Sequence, residues 1–122
     1  TWRGTIGGIL TGTLSGAFAY AFFPFYSTLI TPDYLTYALL LSTGALVGDM
    51  VGSFIKRRMN VNSGQPAHLL DQLDFVIGGL VLGTLIVIPN VTGMIILVMV
   101  TPFMHALFNR IAYILHLKSV PW

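Results

Sequence analysis

Three uncharged runs, residues 4–32, 34–48 and 75–109, organise the chain. A membrane-crossing helix needs about 20 predominantly apolar residues, so the first two runs fit one helix each. The third is long enough for two, and Pro89-Asn90 divides it with a turn-forming pair. The pattern predicts a first helix from Thr5 to Phe23, ending before Pro24, and then a loop from Pro24 to Pro32. A second helix runs from Tyr34 to Ile55, a third from Leu73 to Pro89, and a fourth starts at Val91. Pro102 is expected to kink or break the fourth, leaving an amphipathic tail over Phe103–Leu117 that finishes the span or lies at the interface. The expected architecture is an all-α integral membrane protein: one transmembrane domain over residues 1–122, with four transmembrane helices and a charged loop between the second and third.

Composition supports this reading. Of the 122 residues, 55% are hydrophobic and only 8% charged, against roughly 25% charged in a soluble domain. Cysteine is absent, which removes disulfides, thiol nucleophiles and thiolate metal sites. The formal charge of +2 includes no long basic tract, so no nucleic-acid partner is expected. All six basic residues (Arg3, Lys56, Arg57, Arg58, Arg110, Lys118) fall on one side if the chain crosses four times. The positive-inside rule makes that side the cytoplasm, in a multi-pass cell-membrane protein. Trp2 and Trp122 suit the interfacial aromatic belt. The chain starts at Thr1 rather than a methionine, so a preceding helix and cytoplasmic loop are expected, giving five crossings in the complete protein.

Small residues recur at four-residue spacing in two places. Gly4, Gly8, Gly12 and Gly16 mark the first helix, with Ser15 and Ala19 alongside; Gly44, Gly48 and Gly52 mark the second. In lipid such stripes let helix backbones approach closely. Packing is the favoured reading, and the stripes permit a homodimer without requiring one.

Candidate chemistry is concentrated in residues 48–75. Three of the four acidic residues, Asp49, Asp71 and Asp74, lie there with Lys56, Arg57 and Arg58. Charge near a bilayer is costly and marks function by default. Asp49, Ser53 and Lys56 are spaced i, i+4, i+7 and share one helical face. Asp71 and Asp74, at i, i+3, form a half-site for a hard cation such as magnesium. They also sit where a helix N-terminus favours negative charge, so capping is a competing role. The Lys-Arg-Arg trio suits phosphate binding, with topology anchoring or lipid headgroups as the plain alternative. Arg3, on the same side, joins the phosphate-binding set. The loop from Met59 to Leu70 holds the turn formers Asn60, Asn62, Ser63, Gly64 and Pro66. His68 reads as a solvated loop histidine, and His105 as a residue satisfying polar groups inside the bundle.

The residues Ser53-Phe54-Ile55-Lys56-Arg57, then Pro66, then Asp71-Gln72-Leu73-Asp74 resemble the signature of the CDP-diacylglycerol synthase (phosphatidate cytidylyltransferase) family. The likeness is greater to its archaeal branch, the CDP-archaeol synthases, and runs the length of the chain. It includes Thr1-Trp2-Arg3-Gly4 at the start, Gly48-Asp49, and Leu117-Lys118-Ser119-Val120-Pro121-Trp122 at the end. Departures from the bacterial pattern point the same way. No Lys-Asp pair follows Arg57-Arg58, the glycine-rich loop is reduced to Ser63-Gly64-Gln65-Pro66, and Gln72 stands in place of an arginine. In the archaeal branch a glycine-rich cytoplasmic stretch with a lysine precedes the Thr-Trp-Arg-Gly segment, so part of the nucleotide pocket is expected to lie before this chain.

The resemblance implies magnesium-dependent attack of a lipid phosphate on CTP, giving a CDP-activated lipid and pyrophosphate. The implied lipid carries isoprenoid ether chains, its tails entering from the surrounding membrane lipids between helices. Carried over by position, Asp71 and Asp74 hold Mg2+ with Asp49 assisting, and Asp49, Lys56, Asp71 and Asp74 form the catalytic set. Ser53, Lys56, Arg57, Arg58 and Arg3 bind phosphates. The alternative reading is a small cation-coupled transporter or channel subunit with Asp49 as ion ligand. It predicts acidic residues nearer mid-membrane and gives the clustered Lys-Arg-Arg no role.

Overall fold

The computed structural model describes residues 2–60 and 70–119, and the side chains of all of these except 70–72. Five helices follow in order: α1 (Trp2–Phe22), α2 (Pro24–Ile30), α3 (Tyr34–Arg58), α4 (Leu70–Gly83) and α5 (Val91–Ile114). No strand occurs among the described residues.

Three helices, α1, α3 and α5, are long and apolar enough to cross a membrane. Their surfaces agree with that environment: Leu14, Phe18, Met50, Phe54, Ile95 and Met99 are all exposed. Side chains of this kind facing outward all along a helix mark a membrane protein. Hydroxyls in these helices are tied to their own backbone, as in Thr11 to the Gly7 carbonyl (2.7 Å) and Thr101 to Leu97 (2.7 Å).

The expected span from Leu73 to Pro89 is shortened. α4 has 14 residues and stops at Gly83, and the amides of Ile86 and Val87 both close on the Gly83 carbonyl as the chain leaves the helix. The expected loop from Pro24 to Pro32 instead holds α2. Pro24 occupies its first turn, where a missing N–H costs nothing, and the Ser27 hydroxyl donates to the carbonyls of Phe23 and Pro24. Nor does Pro102 end its helix: α5 runs through it, so Phe103–Ile114 are helical. Asn90 caps α5, accepting from Gly93 N at 2.6 Å.

α3 is the central helix. It touches α1 through Ala38, Ser42 and Leu46, which meet Gly16, Gly12 and Gly8 in that order, so the two helices run antiparallel. It touches α4 through Leu41, Gly44, Gly48 and Gly52, which meet Gly83, Gly78 and Asp74 in descending order, again antiparallel. The two contact rows lie about 120° apart around α3 at 3.6 residues per turn. α4 also packs against α5, and α2 against α1 and α3.

Candidate functional site

The last three turns of α3 carry most of the candidate residues. Lys56, Arg57 and Arg58 form its final turn, three residues beyond the expected end at Ile55. Positive charge there complements the partial negative charge of the helix C-terminus. Asp49, Ser53 and Arg57 follow at four-residue spacing and line one groove with Gly4 and Thr5 from the first turns of α1. The groove has a volume of about 450 Å³ and mixed polar and apolar walls, Leu46 and Met50 completing it. Arg57 Nε donates to the Ser53 carbonyl at 3.3 Å, which folds the guanidinium back along the helix. Asp49 and Arg57 are exposed, whereas Ser53 and Lys56 are half-buried.

Asp74 lies on the other flank. It is 8% exposed, packed from α4 against the backbone of Gly52. A Cβ at Gly52 would come within 2.7 Å of the Asp74 Cβ and 2.8 Å of its Cγ. The carboxylate Oδ1 accepts the Phe75 amide at 2.7 Å. Asp74 heads a second, almost wholly apolar groove of about 290 Å³ between α3 and α4.

The two flanks divide the expected site. Asp49, Ser53 and Arg57 are brought together beside the turn that carries Arg3; Asp74 faces the other groove, and Lys56, Arg58 and Arg3 line neither. The side chain of Asp71, the loop residues Asn62, Ser63, Gly64, Pro66 and His68, and Trp122 lie outside the described residues. Among the described residues no group of three or more His, Cys, Asp or Glu is gathered to hold a metal ion. The available donors still suit magnesium, which takes one or two carboxylates and keeps several waters and substrate oxygens. Asp74 and Asp49 are hard oxygen donors, Asp49 about two turns before the three cations on α3 and Asp74 packed against Gly52 of the same helix.

Two contributors are absent from the sequence expectations. Thr5 lines the polar groove, and the Gly78-Gly79 pair lets α4 reach the α3 backbone. The second had a signal, since Gly78 follows Asp74 by four residues. His105 Nδ1 lies 3.1 Å from Asn109 Nδ2, and Asn109 Oδ1 accepts from Lys118 Nζ at 3.0 Å. This polar chain on α5 agrees with a role in satisfying neighbouring groups.

Comparison with known proteins gives a consistent family. A protein-family model described as CarS-like, CDP-archaeol synthase, matches residues 1–122. A CDP-archaeol synthase of Methanocaldococcus jannaschii is 47% identical over all of this chain and 72% of its own length. Proteins of the same description from Thermococcus kodakarensis and Pyrococcus furiosus are 50% and 42% identical, covering 100% of this chain and 71% and 72% of themselves. No solved structure matches.

Proposed function

The chain belongs to the CDP-archaeol synthase family, and from that premise we propose that it transfers CMP from CTP to the phosphate of an archaeal isoprenoid ether lipid. The observation that carries this reading is the pair of grooves flanking one end of α3. One has mixed walls and carries Arg57, Ser53 and Asp49; the other is apolar and headed by the buried Asp74. A reaction that joins a water-soluble nucleotide to a lipid needs both surfaces beside one charged centre.

In this reaction an oxygen of the lipid phosphate attacks the α-phosphorus of CTP. The bond from that phosphorus to the bridging oxygen breaks, and pyrophosphate leaves with the electron pair. Arg57 grips phosphate oxygens through its forked donors, while Lys56 acts as a point charge. Ser53 donates its hydroxyl to a phosphate, and Arg3 and Arg58 raise the positive potential at the membrane surface. Asp71 and Asp74 are the carboxylates that would hold Mg2+, which when bound would supply positive charge against the phosphate oxygens; Asp49 lines the other groove, away from Asp74. Asp49 also orients the neighbouring cations. The site faces the cytoplasm, so CTP arrives from water while the lipid remains in the bilayer.

The test is transfer of labelled CTP into lipid by the whole protein with Mg2+, offering an isoprenoid ether phosphate beside phosphatidic acid. A magnesium-dependent CDP-lipid formed preferentially from the ether substrate is expected. Asp74→Asn should reduce turnover at least about a hundredfold while the protein melts normally in detergent. Wild-type turnover in that variant would remove Asp74 from the site. No product from either lipid, by folded protein, would overturn the reaction itself.

A further inference from the structure

We infer that Lys118 is a further phosphate-binding residue, and that Asp-free positioning of its ammonium is the task of Asn109, which bridges it to His105. The inference rests on the cytidylyltransferase reading, which supplies the phosphates.

Among the described helices α5 packs against α4 alone. A half-buried row runs along it at three- and four-residue spacing, Met94, Val98, Thr101, His105, Asn109 and Ala112, while most of the rest is exposed. That row is the α4 face of α5, and it turns polar toward the C-terminal end. The turn between Gly83 and Val91 sends α5 back along α4. Its end therefore lies on the side where α4 starts, with Asp71 and Asp74, and where α3 ends in its cations. Of the residues lining the two grooves beside α3, only Arg57 is cationic, and it stands on the α1 flank. A reaction between two phosphate-bearing substrates calls for positive charge on the α4 flank as well. Of the six basic residues, Arg110 and Lys118 are the two that follow α3.

Lys118 is the one that the fold holds in place. α5 ends in a turn in which the His116 amide closes on the Tyr113 carbonyl (3.0 Å) and the Leu117 amide on that of Ala112 (2.9 Å), the bond pair of a Schellman motif. Its pivot is His116 at φ 55°, in the left-handed region that glycine usually fills at this position and that other residues rarely adopt. The tail is folded back over the last turns of α5, where Lys118 Nζ donates to Asn109 Oδ1 at 3.0 Å. A mobile lysine gives up much rotamer freedom when it binds a ligand; here part of that ordering is built into the fold. The carboxamide is neutral, so this bond fixes the ammonium without adding a counter-charge.

The same bond orients the rest of the polar cluster. A lysine ammonium only donates, so the end of Asn109 toward it is Oδ1, which leaves Nδ2 facing His105 Nδ1 at 3.1 Å. Nδ2 also only donates. Nδ1 must then accept, and the ring proton sits on Nε2. His105 thus locks the carboxamide in the one orientation that holds Lys118.

Two measurements on the whole protein in detergent test this, and neither depends on turnover. The first is equilibrium binding of CTP and of an isoprenoid ether phosphate, each offered alone. Lys118→Met should weaken at least one of them about tenfold, and the ligand affected shows whether the nucleotide or the lipid supplies the phosphate. Lys118→Arg, which keeps the charge, should restore most of the loss. Asn109→Leu should weaken the same ligand by less, and should add nothing to Lys118→Met, because it acts through Lys118. Unchanged binding of both ligands by Lys118→Met, or an independent loss from Asn109→Leu, would overturn the inference. The second is the nitrogen NMR spectrum of the His105 ring. The proton is expected on Nε2 in the wild type, and Asn109→Asp, whose side chain only accepts, should bring a proton to Nδ1. A wild-type proton on Nδ1 would overturn the positioning role. Lys118-dependent binding by a protein that forms no CDP-lipid would reject the reaction and keep the phosphate site. Turnover with binding that ignores Lys118 would do the reverse.

Discussion

The two faces of α3 use small residues in different ways. Toward α1, each glycine accepts a side chain: Gly8 takes the tips of Leu46, Gly12 takes Ser42, and Gly16 takes Ala38. A hydroxyl contact across this face, Thr13 to Ser42 at 3.3 Å, adds to it. Toward α4, backbone meets backbone. A Cβ at Gly48 would lie 2.9 Å from the Asp74 carbonyl carbon and 3.0 Å from the Gly78 Cα; one at Gly78 would lie 2.6 Å from the Gly48 Cα. The tips of Leu46 can rotate away from an intruding methyl at Gly8, whereas the Cβ atoms of Ser42 and Ala38 and the backbone of α4 are fixed and yield only if the helices separate. The α1 face should therefore tolerate change at Gly8 that the α4 face does not, and the α4 face is the one that holds Asp74.

The largest effect is expected from Gly48→Ala or Gly78→Ala. Either would force the α3 and α4 axes apart, and overpacking of this kind costs about 1–3 kcal/mol or more. Both variants should melt well below the wild type in detergent and lose activity with the fold. Wild-type melting in either would mean that the two backbones are not in contact and would collapse the distinction between the faces.

Gly52→Ala comes next and separates site from scaffold. Its added methyl would meet the Asp74 carboxylate and, at 2.7 Å, the Asp74 Cβ, so the carboxylate is displaced and this turn of α4 shifts with it. We expect a modest fall in melting temperature with a fall in turnover of about a hundredfold, the scale at which a misplaced catalytic group is felt. Equal losses of stability and activity would place Gly52 with the scaffold residues instead.

These differences mark how far the residue pattern could reach. The stripes at Gly8-Gly12-Gly16 and Gly44-Gly48-Gly52 were legible as packing faces because small-residue spacing is a local property. Their partners were not. Which helix each stripe meets depends on tertiary choice, and nothing in the run from Phe75 to Pro89 announces that Gly78 will lie on Gly48. The end of α4 at Gly83 was misread for a related reason: Thr84 to Ile88 is as apolar as a helix, and the chain leaves it through closing bonds to the Gly83 carbonyl. Likewise, the i, i+4, i+7 rule grouped Asp49 and Ser53 with Lys56, whereas the groove that α1 closes with Thr5 takes Asp49, Ser53 and Arg57. The division of Asp49 from Asp74 by α3 is likewise invisible to a linear motif.

Smaller effects grade the α1 face. At Gly12 an added Cβ would meet the Ser42 Cβ at 2.5 Å, and at Gly8 only the Leu46 methyl ends at 3.0 and 3.1 Å. Gly12→Ala should cost about 1–3 kcal/mol, because the Ser42 Cβ is fixed by its backbone and the two helices must part. Gly8→Ala should cost less, since Leu46 can change rotamer. Gly7 is the limiting case, with nothing within 4 Å of an added Cβ. An alanine there meets open space and gains helix propensity, worth up to about 1 kcal/mol over glycine. Gly7→Ala should thus melt at or slightly above the wild-type temperature with unchanged cytidylyl transfer. A clear loss of stability would show that this face of α1 is covered, and that the glycines facing α3 are not its only close contacts.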